Sequence, residues 1–390
     1  MLKKVNIPLK LTLLFLVFGV VPMASLGWIA YEETQKLEEV VPNELELKSL
    51  DMADMIDRNL FERYGDVQAF ALNYVIHLRE DWYTQSSDKN RIATAMNQYV
   101  DTYDIYYLTL LVDLEGRVIA VNDRDADGQP INTAFIYEQN YANSAWFKAI
   151  SNGRFTTRMP HTAAGNDVSD GTFIEHLHLD QDVKRTYSGD DALTIAFSAP
   201  VYENGRVIAY WSNRTKFSLV EDIFRATYHE LKTQGFTGAE LTLLDESGHV
   251  IIDYEPARTG SEEMMHDFGV LMKLNLANMG VTAAQEAVAG RTGHAWAKHS
   301  RKQITQAAGY THLQGALGYP GMNWSVLVRI PRDQAIADIL DTRQQLFVMG
   351  GVFIVAIIAL GLFIGRVATR PIADMLNTIK RLADGDISHA

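Results

Sequence analysis

LTLLVDLEGRVIAVNDRD at residues 108–125 and LTLLDESGHVIIDYEP at residues 241–256 are two copies of one pattern, and their recurrence decides the fold. Each copy sets an apolar run, an acidic turn containing Gly116 or Gly248, and a second, β-branched run. Two such runs around a short glycine turn read as a β-hairpin. After the first copy come a helix-like YANSAWFKAI (141–150) and the strands ALTIAFSAPVY (192–202) and GRVIAYWSNRT (205–215), joined at Glu203-Asn204-Gly205. After the second come a helix-rich stretch to Gly290 and the strands GHAWAKHS, QAAGYTHL and MNWSVLVRI. The repeat predicts two α/β modules in tandem, each an antiparallel sheet carrying helices, with residues 217–233 as the helix that joins them.

Upstream, residues 32–82 read as one long helix whose apolar positions Leu45, Met52, Ile56, Leu60, Tyr64, Val67, Ala71 and Tyr74 are mostly three or four apart. Pro42 predicts a kink or restart there, with Asn43 as a cap. Outside these lie two uncharged apolar segments, residues 11–31 and residues 344–365 (QQLFVMGGVFIVAIIALGLFIG). At about 1.5 Å per residue, the second is about 33 Å long as a helix, enough for a bilayer core. Lys3, Lys4 and Lys10 precede the first segment and Arg366, Arg370, Lys380 and Arg381 follow the second, so the basic residues place both ends in the cytoplasm. A cleaved signal peptide is the alternative reading of the first segment. Its length and the lack of an Ala-x-Ala site after it argue against that.

Between the spans remain 28 basic and 45 acidic residues, a net charge of −17, on a chain that is 47% hydrophobic and free of cysteine. Such a surface repels nucleic acid and anionic lipid and steers cations. Without cysteine, disulfides and thiol chemistry are excluded. No HExxH, GxSxG or Walker glycine loop is present, which leaves no hydrolase or nucleotide-binding motif.

With two spans bracketing a long helix and two modules, a Trp-Phe helix start at 146–147, SAPV on a strand (198–201) and NWSVLVRIP closing the second module (323–331), the chain resembles the double Cache sensors of bacterial transmembrane receptors. The tail RPIADMLNTIKRLADGD (370–386) resembles the first HAMP helix, with Arg370-Pro371 at the membrane exit, apolar Ile372, Met375, Leu376, Ile379 and Leu382, and a closing Gly385-Asp386. The fold expected is α+β: two tandem PAS-like (double Cache) modules on a long N-terminal helix, flanked by two transmembrane helices. Its parts are a cytoplasmic N-terminus (1–10), a first span (11–31), the long periplasmic helix (32–82), a membrane-distal module (83–225), a membrane-proximal module (226–343), a second span (344–365) and the first HAMP helix (366–390). The resemblance implies an inner-membrane receptor, a methyl-accepting chemotaxis protein first and the sensor of a histidine kinase or diguanylate cyclase second, with its output module outside this chain. Apolar steps of three and four in the tail also demand a second copy, so a homodimer is expected, with Pro371, Ile372, Leu376 and Ile379 as the relay.

In that family the distal module holds the ligand, which here points to Tyr141, Trp146, Phe147, Tyr187, Asp190, Trp211 and Asn213, with Asp191 beside them. Aromatic walls with a carboxylate suit an amine-bearing small molecule, at about 0.5–2 kcal/mol per ring. The amino-acid-binding subset resembles Y-x-x-x-x-R-x-W-Y-x-x-A, whose Arg grips the ligand carboxylate in a fork. Here Gln139, Ser144 and Phe147 stand at the Tyr, Arg and second aromatic positions, and Asn213-Arg214 near the acid that binds the amino group, so an ordinary α-amino acid is not expected. A second constellation, Glu175, His176, His178, Asp180 and Asp182 with His161 upstream, offers two imidazoles on one strand face as zinc would need. Asp180 equally reads as the cap of a helix through Val183 ending at Gly189. No metal or cofactor is assigned, and a membrane-anchored metal-dependent enzyme stays the remote alternative.

Overall fold

The computed structural model describes residues 7–158, 171–299 and 302–383. Helix α1 (Ile7–Lys36) leads through a single 3-10 turn at Leu37–Glu39 into helix α2 (Val40–Ala71). Then come helix α3 (Arg91–Tyr103), strands β1 (Tyr106–Val112) and β2 (Val118–Val121), helix α4 (Ala145–Ser151), strands β3 (Thr157–Arg158) and β4 (Gly171–Leu179), and helix α5 (Gln181–Thr186). The long strands β5 (Leu193–Glu203) and β6 (Arg206–Lys216) complete the first module, and helix α6 (Ser218–Thr233) joins it to the second. There β7 (Glu240–Leu244) and β8 (Val250–Tyr254) precede helices α7 (Pro256–Thr259) and α8 (Thr282–Val288) and strands β9 (Gly293–Lys298), β10 (Thr305–His312) and β11 (Ser325–Pro331). Helices α9 (Arg332–Ala335) and α10 (Ala337–Ala383) end the chain's described part.

Among the described residues the strands form two antiparallel sheets, ordered β2-β1-β6-β5-β4-β3 and β8-β7-β11-β10-β9. The two copies of the repeat occupy the same place in each sheet, at the edge and next to it. Their register breaks at the same point, between Leu111 and Val112 in one hairpin and between Leu243 and Leu244 in the other. The turns are equally alike. Asp113 Oδ1 accepts from the N–H groups of Glu115 and Arg117, both at 2.9 Å, and Asp245 Oδ1 from those of Ser247 and His249 at 2.9 and 2.8 Å. Gly116 and Gly248 follow with φ of +80° and +89°, a conformation that a side chain strains. Each hairpin therefore needs its Asp and its Gly three residues apart.

Helix α2 lies along both modules. Its buried Leu45, Met52, Ile56, Leu60, Tyr64, Val67 and Ala71 form a stripe as the spacing predicted, whereas Tyr74, read as its last member, lies beyond the helix and is exposed. Near its start, Leu45 meets Gly309 of β10, so closely that a Cβ on Gly309 would fall 2.0 Å from the Leu45 carbonyl carbon. Just past its middle, Asp57 Oδ2 accepts from Gln314 and Gly315 N–H at 3.0 and 2.7 Å. Towards its end, the Tyr64 carbonyl accepts from Thr172 of β4 at 3.2 Å and Asp66 from the Tyr106 hydroxyl of β1 at 2.6 Å.

Two local expectations change. The long helix stops at Ala71, not near residue 80, because Asn73 turns extended and its side chain caps the 3-10 turn Tyr74–His77 through Val75 N–H. Asn43 is not a cap either: α2 starts at Val40 and Pro42 sits in its first turn, where no backbone N–H is needed.

Residues up to 41 and from 335 form a separate compact unit in which α1 and α10 pack together. Arg343 of α10 donates to Thr34 of α1 and to Glu38 of the 3-10 turn that follows it, both at 2.9 Å. The segment Ala337–Val367 is long and apolar enough to cross a membrane. Pro371 falls inside α10, which continues to Ala383 through Ile372, Leu376 and Ile379. Residues 1–6 and the Gly385-Asp386 expected to close the tail helix lie outside the described residues.

Candidate functional site

The aromatic residues of the first module divide between the two faces of its sheet. Strand β6 alternates, so Trp211 and Asn213 point one way and Ser212 and Arg214 the other. Trp211 lies edge-on to Phe70 of α2 and Tyr99 of α3, with centroids 6.1 and 6.2 Å away, and donates from Nε1 to Asn213 Oδ1 at 2.8 Å. Tyr141, Trp146 and Phe147 belong to a buried cluster with Tyr107, Leu110, Val183 and Tyr210 on the opposite face. The expected set is therefore not one pocket: Trp211 and Asn213 are separated by the sheet from the other five.

Arg214 fills the centre of the Tyr141–Trp146 face. Its Nε lies 3.0 Å from Asp180 Oδ2, its Nη1 donates to Ser212 Oγ at 2.7 Å, and its guanidinium sits 5.4 Å from the Trp146 ring centroid. Asp180 caps α5 through the N–H groups of Asp182 and Val183, and Tyr141 donates to Asp182 Oδ2 at 2.7 Å. Burial alone would raise the Asp180 carboxyl. His178, Arg214 and the Val183 N–H outweigh it and hold the group down to about 2. This face already contains a cation over an indole, paired with a carboxylate. Ser144, at the Arg position of the amino-acid-binding motif, instead caps α4, its Oγ accepting from Phe147 N–H at 3.3 Å.

The histidine constellation does not converge either. The β4–β5 register breaks between Glu175 and His178, and the two imidazoles take different partners, His176 lying 3.8 Å from Glu246 and His178 3.6 Å from Asp180. Among the described residues no group of three or more His, Asp or Glu is placed to hold a metal ion, and His161 lies outside them.

Tyr187 and Asp190 lead elsewhere, to a cavity of about 460 Å³. One wall is aromatic: the Tyr107 and Tyr187 rings lie 5.2 Å apart, and the Tyr187 hydroxyl donates to the Tyr107 carbonyl at 2.8 Å. Asp190 Oδ1 accepts from the Tyr107 hydroxyl at 2.8 Å and from Ala192 N–H at 2.7 Å, which fixes the carboxylate at the cavity edge. Burial and then Asp190 push the Tyr107 hydroxyl above its ordinary range, so it stays a donor. Asp104, Asp125, Asp127, Asp191 and Glu221 complete an acidic lining of six carboxylates, against Lys216 and His266. Lys216 is engaged by Asp104 at 2.7 Å. His266, from the second module, stands between Asp191 and Glu221 at 2.6 and 2.7 Å. The residues that sequence reasoning missed here, 104, 107, 125, 127, 216, 221 and 266, come from several separate elements and share no motif.

No protein-family profile matches the chain, and no curated protein matches it by sequence. Solved structures do match by fold. The extracellular domain assigned to the histidine kinase vpHK1S-Z8 aligns with 78% of this chain and 99% of its own at 10% identity and a TM-score of 0.52. A domain assigned to a sensory box/GGDEF protein of Vibrio parahaemolyticus aligns with 77% and 99% at 10% identity and a TM-score of 0.50. The ligand-binding domain of the Pseudomonas fluorescens chemoreceptor CtaA, solved with L-isoleucine, aligns with 78% and 98% at 13% identity and a TM-score of 0.47. The chain shares its fold with the first two of these domains.

Proposed function

We propose that the chain is the input half of a two-pass bacterial inner-membrane receptor, without catalytic activity, that binds a small amine-bearing ligand outside the cell and signals inward through α10. The observation that carries the ligand class is the cavity at Tyr107, Tyr187 and Asp190, where six carboxylates face two cations and both cations are already paired. An entering ammonium gains charge-assisted hydrogen bonds there and a tyrosine face, whereas a carboxylate meets like charge. The sensor-domain fold supports the receptor reading. A chemotaxis receptor is the first reading of the output, with a kinase or cyclase as the second, and the apolar steps at Ile372, Leu376 and Ile379 support a homodimer.

A thermal-shift screen of the chain in detergent against amines, amino acids and dicarboxylates tests this. A ligand at a hundredfold its dissociation constant stabilises by about 2.7 kcal/mol. Amines are expected to raise the unfolding midpoint, and hits confined to dicarboxylates would refute the ligand class.

A further inference from the structure

His266 is held in a way that neutral imidazole does not allow. Its Nδ1 lies 2.6 Å from Asp191 Oδ2 and its Nε2 2.7 Å from Glu221 Oε1, so both ring nitrogens face carboxylate oxygens and both must donate. The ring is therefore an imidazolium, bridging the loop of the second module that follows α7 to the first module's Asp191 and to α6. It also lines the cavity at Tyr107 and Asp190. Facing that cavity from other elements are Asp190 beside Asp191, Lys216 at the end of β6, Asp104 after α3, and Asp125 and Asp127 after β2.

We propose that His266 is a protonated clasp between the two modules and that a cation bound in the cavity releases it. This rests on the amine-sensor reading above. A ligand ammonium at Asp190 and the imidazolium on neighbouring Asp191 and Glu221 repel each other across one small space, so occupancy by one weakens the other, and the weakening is reciprocal. Binding in the first module thereby loosens a loop of the second, which is the direction a signal has to travel. Burial on its own would lower the imidazole. Glu221 and then Asp191 raise it to about 9. A histidine raised in this way stabilises the fold fully below about 6.5 and loses that contribution as pH rises through about 9.

The experiment uses the whole chain in nanodiscs, with methylguanidinium as a cation that does not titrate, on wild type, His266→Gln and His266→Arg. Without probe, the thermal midpoint of wild type is expected above that of His266→Gln at pH 7, with the gap closing by pH 10. With probe, wild type binds at least about 5-fold tighter at pH 9.5 than at pH 7.5. His266→Gln binds tightly at both pH values and His266→Arg weakly at both. A constant gap in the midpoints, or the same pH slope in all three proteins, overturns the clasp and leaves the amine site standing. Absence of methylguanidinium binding to all three overturns the amine reading and the clasp's release together.

Discussion

Replacing Arg214 with Met removes the guanidinium that pairs with Asp180 while keeping much of its volume. Asp180 is 7% exposed, and its carboxyl sits at about 2 in the folded chain. Against about 3.9 for an unfolded aspartate, that difference is worth about 2.6 kcal/mol of stability at neutral pH. The contribution is present above about 4 and lost as pH falls through about 2. Taking away one partner of a buried pair costs about 3–5 kcal/mol, and the retained His178 and N–H contacts place this case at the low end. A loss of about 3 kcal/mol corresponds to a midpoint lower by about 6–12 °C for a unit of this size. Thermal unfolding followed by circular dichroism between pH 3 and 7 measures both quantities. The acid-induced loss should be smaller in Arg214→Met, since the folded Asp180 carboxyl then stands nearer its unfolded value. A cost below about 1 kcal/mol, or an unchanged acid limb, would refute the view that this buried pair stabilises the Tyr141–Trp146 face.

Gly309→Ala is expected to cost at least about 3 kcal/mol, at or beyond the top of the overpacking range, because the new methyl meets the Leu45 backbone and not a side chain that can turn away; urea titration measures it. Asp57→Asn is expected to stabilise by about 2 kcal/mol at pH 7 and by nothing at pH 4. Burial raises the Asp57 carboxyl to about 6 despite the Gly315 and Gln314 N–H bonds, so ionisation disfavours the fold as pH rises from about 4 through 6. The amide keeps those acceptor contacts, and its NH2 replaces Oδ1, which has no partner among the described residues. Single cysteines at Ile372, Leu376 and Ile379, in a chain without native cysteine, should crosslink between copies at rates that change with a proven ligand; identical rates would leave α10 an inert anchor.

Much of the fold was legible because it repeats. Asp113 with Gly116 and Asp245 with Gly248 set the same turn twice, and two similar hairpins imply two similar sheets. Helix α2 was legible from its one buried stripe, but its end was not, because Asn73 caps a short turn inside an otherwise helical composition. Helix α3 went unread although Ile92, Met96 and Val100 are four residues apart, since it follows loops whose breaks hide the period. At the site, the identities Trp146, Tyr187 and Asp190 were visible, but which face of the sheet they share was not. Trp211 and Arg214 are three residues apart on one strand and face opposite ways, so adjacency in sequence placed Trp211 and Asn213 in the wrong company. His266 could not be found at all: a lone histidine in a loop acquires its role only when folding brings Asp191 and Glu221 to either side of it.

The central claim, that Asp190 and its tyrosine wall receive a cationic ligand, is tested most directly by calorimetric titration of the best-stabilising amine into wild type and Asp190→Asn. Asparagine keeps the acceptor for the Tyr107 hydroxyl and removes only the charge. The account predicts binding in wild type and a loss of about tenfold or more, about 1.4 kcal/mol, in the variant. Equal affinity in the two proteins would contradict it.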